Sequence, residues 1–208
     1  AKEQGAVFEG NADWWLRMSD GTCYAVVDAD GRIAIGVYAD GFPAYVRPAM
    51  WIELGTSAGT ESGENEAGQG NAEETEGAAY PQSFSELEVG SRFPYGTYEQ
   101  DGDGSNGREG IEWLVLDRVE DRALVVSEYG LDVRPYDGTF EAATWETCSL
   151  RSWLNGAFLE EPFGTEEQGR IRETALTNPD NAEYGTEGGS DTVDRVFLLS
   201  MEEAERYF

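Results

Sequence analysis

The side chains able to carry chemistry in this sequence are carboxylates, two thiols and a set of neighbouring arginines and tryptophans; histidine is absent. Without imidazole, Ser-His-Asp and Cys-His nucleophilic machinery falls away, as does the common histidine-based zinc chemistry. Cys23 and Cys148 are too few for a four-cysteine zinc site or a disulfide-dense scaffold. They fit a Cys23–Cys148 bridge or two small buried thiols. Cys148 precedes a helix start, where a thiolate gains acidity, so it is the better candidate for reactivity. Its plainer role is packing beside Trp145. Glu146, Asp132 and Asp13 lie close to tryptophans in sequence, and glycoside hydrolysis needs two carboxylates about 5–9.5 Å apart. With 42 acidic residues, however, any such pairing has a high chance background. No residue is assigned a catalytic role.

Two stretches suggest oxygen ligands for a cation. In DGDGSNGREGIE, Asp101, Asp103, Ser105 and Glu112 fall at positions 1, 3, 5 and 12 of an EF-hand pattern. Gly107 comes one place late and Glu112 opens a strand instead of a helix, so the full motif fails. A solvated hairpin loop is the plainer reading, with weak calcium binding the alternative. The acidic loop after Asn178, with Asp180, Glu183, Glu187, Asp191 and Asp194, is a weaker candidate.

The third group is Trp14, Trp15, Arg17 and Arg47, Pro48, Trp51. Strand alternation points Trp14 and Leu16 one way and Trp15 and Arg17 the other. Scarce arginines near tryptophan stack or pair with a carboxylate, so Trp14, Arg17, Arg47 and Trp51, with Trp113, Trp145 and Trp153, are expected to knit the core. Trp15 or Tyr24 is the candidate for lining a shallow ligand face.

These residues must be positioned by a folded body broken by one low-complexity segment. The chain has 208 residues, 39% hydrophobic and 12% aromatic, and a formal net charge of -28. That field repels phosphate backbones and anionic lipid, which excludes nucleic-acid binding and direct membrane docking. No apolar run approaches the ~20 residues of a membrane span. Residues 1–54 offer about three short strands: a hairpin around Asp28-Ala29-Asp30-Gly31, then AYVRPAMWIEL, where Pro48 marks an edge, bulge or turn. Alone they lack a second layer to cover their apolar face. Residues 55–80 are rich in Gly and Glu and read as a disordered acidic tether, reaching about 25–30 Å.

Residues 81–208 hold a second hairpin, Ile111–Leu116 with Ala123–Tyr129, and a loop 131–148 whose aromatics Tyr136, Phe140 and Trp145 pack down. A helix starts at the cap Ser149 and carries Leu150, Trp153, Leu154 and Phe158 on one stripe. A second helix over 165–176 is capped by Thr165. DRVFLLS is a strand, and Ser200 with Glu203 forms a capping box for a terminal helix.

The blocks YGTYEQDG, IEWLVLD, ALVVSEYGLD, TWETCSLRSWLNGAF and DRVFLLSMEEAERYF resemble, in order and spacing, the front half of the bacterial DUF6273 family. Residues 1–52, with WWLRMSDG and VRPAMWIEL, resemble its back half, so the halves stand in inverted order. Met18 departs from the family's usual serine, and the segment that usually connects the halves is absent. A permuted domain, a fragment of a tandem protein and an artificial joining of halves all fit. The first two require residues 1–54 to complete a core with 81–208, in the same chain or in a neighbour.

The pattern is remotely similar to C-type-lectin-like and formylglycine-generating-enzyme-like folds. The resemblance implies an α+β fold of small mixed or antiparallel sheets with two to three short helices. It also implies a binding face at Ser19, Asp20, Thr22, Tyr24, Tyr38, Asp40, Phe42 and Tyr45, joined by Trp15. The expectation is a non-catalytic ligand-binding or structural module for a protein or glycan, without a cofactor unless calcium. A carboxylate-dependent hydrolase is the alternative. A monomer completed within one chain is favoured over a swapped dimer or chain, and an extracytoplasmic or cell-surface setting suits the acidity.

Overall fold

The structure, a computed structural model, describes residues 13–19, 24–38, 43–55, 84–139, 142–181 and 185–208. Its front part supplies five strands: β1 (Trp14–Ser19), β2 (Tyr24–Val27), β3 (Ile33–Tyr38), β4 (Pro43–Val46) and β5 (Ala49–Glu53). The β2–β3 hairpin forms where expected. Asp28 Oδ1 accepts the N–H groups of Asp30 and Arg32, and Gly31 takes φ +80°. That left-handed conformation suits a residue without Cβ.

AYVRPAMWIEL is not one strand. At Arg47-Pro48 the chain turns out of one sheet and into another. Pro48 has no N–H to offer a ladder, but its carbonyl accepts from Ser127 N–H at 2.9 Å. Arg47 Nε donates to Ser127 O at 3.0 Å. The Arg47 guanidinium also lies 4.9 Å from the Trp14 ring and 5.2 Å from that of Phe208.

After a 3-10 turn at Phe84–Glu86 come β6 (Arg92–Tyr98), β7 (Glu109–Val119), β8 (Arg122–Ser127) and β9 (Asp132–Pro135). One sheet has the order β3-β2-β1-β4-β9, antiparallel except for the parallel β1–β4 pair, in which Trp14 faces Tyr45. The other is an antiparallel sheet of order β5-β8-β7-β6. Residues 14–53 and 84–208 therefore share both sheets: β4 pairs with β9, and β5 pairs with β8 from Ala49–Val126 to Glu53–Arg122. The far edge of β5 is covered as well, by reciprocal bonds between Ala49 and Phe197 and by Arg172 N–H to Trp51 O.

Helices α1 (Ser149–Leu154), α2 (Ala157–Glu160), α3 (Thr165–Arg170) and α4 (Met201–Tyr207), with the ribbon β10 (Thr174–Leu176) and β11 (Thr192–Asp194), complete an α+β fold. Four helices replace the expected two to three, because the first splits at Asn155-Gly156. There the Asn155 side chain clamps residues 195–196: Oδ1 accepts from the Arg195 and Val196 N–H groups, and Nδ2 donates to Val196 O. The helix expected over 165–176 stops at Arg170, since Ile171 is extended, buried and bridged to Ile52.

Two expected caps move by one residue. Cys148 caps α1, with Sγ accepting from Arg151 N–H, while Ser149 Oγ accepts from Gly138 N–H. Gly164 caps α3, its N–H bound by Glu167 Oε2 at 2.8 Å. The Ser200–Glu203 box closes α4 with reciprocal bonds of 2.7 and 3.1 Å. The expected loop 131–148 contains β9, whose four residues carry too short an alternating pattern to stand out. Among the described residues no helix is long and apolar enough to cross a membrane.

Candidate functional site

Strand β1 is buried on both faces: Trp14, Trp15, Leu16 and Arg17 are each under 8% exposed. Trp15 packs on Tyr24 and Tyr136, Arg17 on Phe197 and Leu198 O, and Trp14 on Phe208. Alternation therefore does not separate solvent from core here, and this corrects two sequence-based expectations. Trp15 is fully buried, and its Nε1 donates to Arg134 O at 2.8 Å. Tyr24 is 1% exposed and stacks on Tyr136 at 4.3 Å. Both belong to the buried core and line no surface.

Tyr45 is half-buried, its side chain pressed on Gly130, where a Cβ would come within 2.7 Å. The backbones of Ser19, Tyr24 and Tyr38 lie side by side, through the pairs Ser19–Tyr24 and Tyr24–Tyr38. Ser19, Tyr24 and Tyr38 therefore mark one end of the sheet. Asp20, Thr22, Asp40, Phe42 and Cys23 lie outside the described residues.

The residues expected to be structural take up distinct places. Arg17 donates to Leu198 O at 2.7 Å and pairs with Glu203 at 3.4 Å; burial lowers its pKa against the pull of that carboxylate. Burial lowers the Arg47 pKa to about 10. Trp113 and Trp145 are buried, their indole N–H groups bound to Tyr95 O and Asp194 Oδ2. Trp51 and Trp153 are half-buried under the guanidinium groups of Arg122 and Arg134.

Cys148 is a free buried thiol whose pKa burial pushes up to about 12. Its place at the start of α1 does not make it acidic, because desolvation outweighs the Arg151 N–H bond to its sulfur. Tyr136, buried beside it, is also raised well above the usual phenol range by desolvation.

The carboxylates named for hydrolysis are engaged locally. Asp13 accepts from Ala29 N–H and Glu146 from Ser190 N–H. Asp132 accepts from the Tyr98 hydroxyl and Arg134 Nε. In the 178–194 region Asp180 and Asp191 bind backbone N–H groups, while buried Asp194 accepts from Trp145, Thr192 and Arg151. Asp194 is thus a structural knot. Glu183 is outside the described residues.

The EF-hand spacing also fails in space. Asp101 is turned onto Asp103 N–H and Asn106 Nδ2, and Asp103 onto Ser105 N–H and Oγ. Glu112 sits within β7 opposite Pro94, so the strand carries it away from the loop. The group that converges is Glu99, Asp101 and Glu109, their oxygens within 4.8 Å of one another. Desolvation and the Asp101 contact raise the Glu99 pKa, and the Asp103 N–H bond lowers that of Asp101. Sequence reasoning includes Glu109 within the loop without naming it a ligand, and misses Glu99 because it precedes the loop, just after the end of β6.

An open cleft of about 510 Å³ is lined by Phe84, Tyr95 and the start of α3 to Arg170. Its floor is fixed by Tyr95 hydroxyl to Glu167 O at 2.7 Å and Gly96 N–H to Glu167 Oε1 at 3.1 Å. The Arg170 guanidinium lies 4.9 Å from the Phe84 ring, and a Cβ on Gly55 would be 3.8 Å from Arg170 Nη1. Glu53, whose carbonyl accepts from Arg170 Nη1 at 3.4 Å, and Phe84 thus both lie beside Arg170.

No curated protein and no solved structure matches the chain. Residues 120–207, which hold β8 to β11 and the four helices, match the family model described as Domain of unknown function (DUF6273).

Proposed function

We propose that the chain is a non-catalytic recognition or structural module in which residues 14–54 complete the body formed by 84–208. Its recognition face is the end of the five-stranded sheet marked by Ser19, Tyr24 and Tyr38, which residues 20–23 and 39–42 adjoin in sequence. The observation carrying this reading is the side-by-side register of Ser19, Tyr24 and Tyr38 above a floor of buried aromatics. Loops held by a rigid scaffold are where binding residues concentrate, and these two carry Asp20, Thr22, Asp40 and Phe42. A protein or glycan is the ligand class. The test is retention on a glycan array and a displayed peptide library, compared with Asp40→Ala and Phe42→Ala. The reading expects loss of binding with the melting temperature preserved. A melting temperature that falls with either substitution overturns the face assignment, and a chain that retains no glycan or peptide overturns the reading.

The inverted order of the family halves and the C-type-lectin-like architecture belong to the same proposal. Two contacts support the inversion: Trp14 packs edge-on against Phe208 at 5.6 Å, and Glu53 O and the Phe84 ring both meet Arg170. Joining either pair of ends would close the same set of strand pairings.

A second reading, a carboxylate-dependent hydrolase, draws on Glu99 and Asp101, whose pKa values are displaced in opposite directions. A close pair sharing one proton supplies an acid and a base together. It is tested by loss of hydrolysis in Glu99→Gln on a panel of chromogenic glycosides and peptides. Equal hydrolysis in both proteins removes it.

A further inference from the structure

We infer that Arg47, beside the rings of Trp14 and Phe208, is a binding site for a carboxylate carried on an apolar body. The starting point is an arginine without a counter-charge in a chain that has 42 acidic and 14 basic residues. Among the described residues nine arginines are ion-paired to a carboxylate. Arg118 and Arg195 donate to backbone carbonyls, and Arg122 is exposed. Arg47 is half-buried and has no ion pair among the described residues.

Its surroundings hold it in place. Nε donates to Ser127 O at 3.0 Å while Ser127 N–H returns to Pro48 O at 2.9 Å, which fixes the side chain at the corner between the sheets. Nη1 and Nη2 make no hydrogen bond to a described residue. Glu128 attracts the guanidinium, but its own Oε1 is 3.0 Å from Arg92. Burial lowers the Arg47 pKa to about 10 against that attraction. Such a shift marks a cation drawn out of water with its charge incompletely balanced.

The geometry selects the ligand. The guanidinium lies 4.9 Å from the Trp14 ring and 5.2 Å from that of Phe208, and the rings are 5.6 Å apart. Three nearly equal sides put the cation beside the ring pair and not between its members. With Nε taken by Ser127, the end that carries Nη1 and Nη2 is left, and its two N–H groups match the two oxygens of a carboxylate. Trp14 is buried and Phe208 is 55% exposed, so Phe208 offers the apolar surface beside the cation. A net charge of -28, with Glu128 close by, opposes every further negative charge on a ligand. A carboxylate monoanion is therefore preferred to phosphate.

This site is separate from the recognition face proposed above. Trp14 opens β1 and Ser19, which marks that face, closes it. Loss of either binding activity thus leaves the other to be measured.

The experiment titrates the full chain with phenylacetate to about 20 mM, a range that reaches weak small-ligand affinities. The readout is the indole N–H resonance of Trp14, identified by its loss in Trp14→Phe. Phenylacetate is expected to give a saturable shift, and phenylacetamide and inorganic phosphate none. Arg47→Lys, which keeps the charge but loses the fork, should weaken binding about tenfold. Arg47→Met should abolish it and Phe208→Ala should weaken it. The inference is overturned if phenylacetate gives no saturable shift, or if the amide or phosphate shifts the resonance equally. An Arg47→Met chain with native near-ultraviolet dichroism and unchanged affinity also overturns it. Unchanged affinity in Phe208→Ala overturns the part given to that ring. Should Arg47→Met fail to fold, the acid and the amide compared on the unaltered chain decide the matter alone.

Discussion

Removing residues 60–79 should stabilise the protein. Arg170 Nη1 donates to Glu53 O at 3.4 Å and its guanidinium lies 4.9 Å from the Phe84 ring, so the connection over residues 56–83 joins two points that lie close together and is a closed loop in the polymer sense. Cutting that loop from about 28 residues to about 8 reduces its closure entropy by about 1.1 kcal/mol. For a chain of this size, that corresponds to a rise in melting temperature of about 2–4 °C. The assay is urea denaturation of the full chain and the shortened variant side by side, with the solution mass of each. The expected outcome is a higher midpoint with an unchanged slope and one-chain mass. If the two ends instead lay about 25–30 Å apart, eight residues would be stretched to their limit of about 3.3–3.6 Å each. The variant would then lose stability or exchange halves with a neighbour. A lower midpoint, or a two-chain mass at micromolar concentration, would refute the placement of both ends at Arg170.

In a Cys23→Ser variant, which isolates Cys148, thiol reagents at pH 8 should leave the native protein unmodified and label one thiol only after urea is added. Burial holds that thiol near a pKa of about 12, so rapid labelling of the native state would contradict its packing. Arg17→Ala should cost about 3 kcal/mol in chemical denaturation, because it leaves the Leu198 carbonyl and Glu203 without their cation. Glu203→Gln should cost less than about 1 kcal/mol, since glutamine keeps the capping box and the Glu203 side chain is 30% exposed; equal costs would refute the assigned asymmetry.

Asp137 gives a pH test. Burial acts to raise its pKa from 3.8, but bonds from Thr139 and Ser149 outweigh burial and lower it. A lowered folded value means that its stabilisation is present above the unfolded pKa and lost as pH falls through the folded one. The stability difference between wild type and Asp137→Asn should thus be flat, at about 1–2 kcal/mol, above about pH 5, and shrink below about pH 4. A difference that grows in acid would reverse the sign and refute the assignment.

Local signals explain which parts of the fold were legible in the sequence. The turn Asp28–Gly31, the β7–β8 hairpin and the Ser200–Glu203 box each depend on residues within a few positions of one another. What escaped is non-local. Asn155 breaks a helix because its amide binds residues forty positions away, and Ile171 leaves helix because Ile52 is its neighbour. Trp15 and Tyr24 read as surface aromatics because strand alternation presumes one wet face, whereas β1 is covered on both. The acidic cluster was half legible: Asp101 stood out in its loop, but Glu99 and Glu109 join it only because β6 and β7 are antiparallel neighbours.

The placement of β5 between β8 and the Phe197 segment has a consequence during synthesis. Residues 14–54 leave the ribosome before β8 and β9, which pair with β5 and β4, and the 196–199 segment that finishes their enclosure follows later still. At about 5–20 residues per second, the roughly 150 residues between occupy about 8–30 s. β8 arrives about halfway through that time, and until its end Met50 and Ile52 lack the Phe197 segment that completes their enclosure. The next stretch to emerge, residues 56–79, is rich in glutamate and glycine. A nascent chain whose sticky strands are followed at once by like charges repels its neighbours on the same message until its own second half arrives.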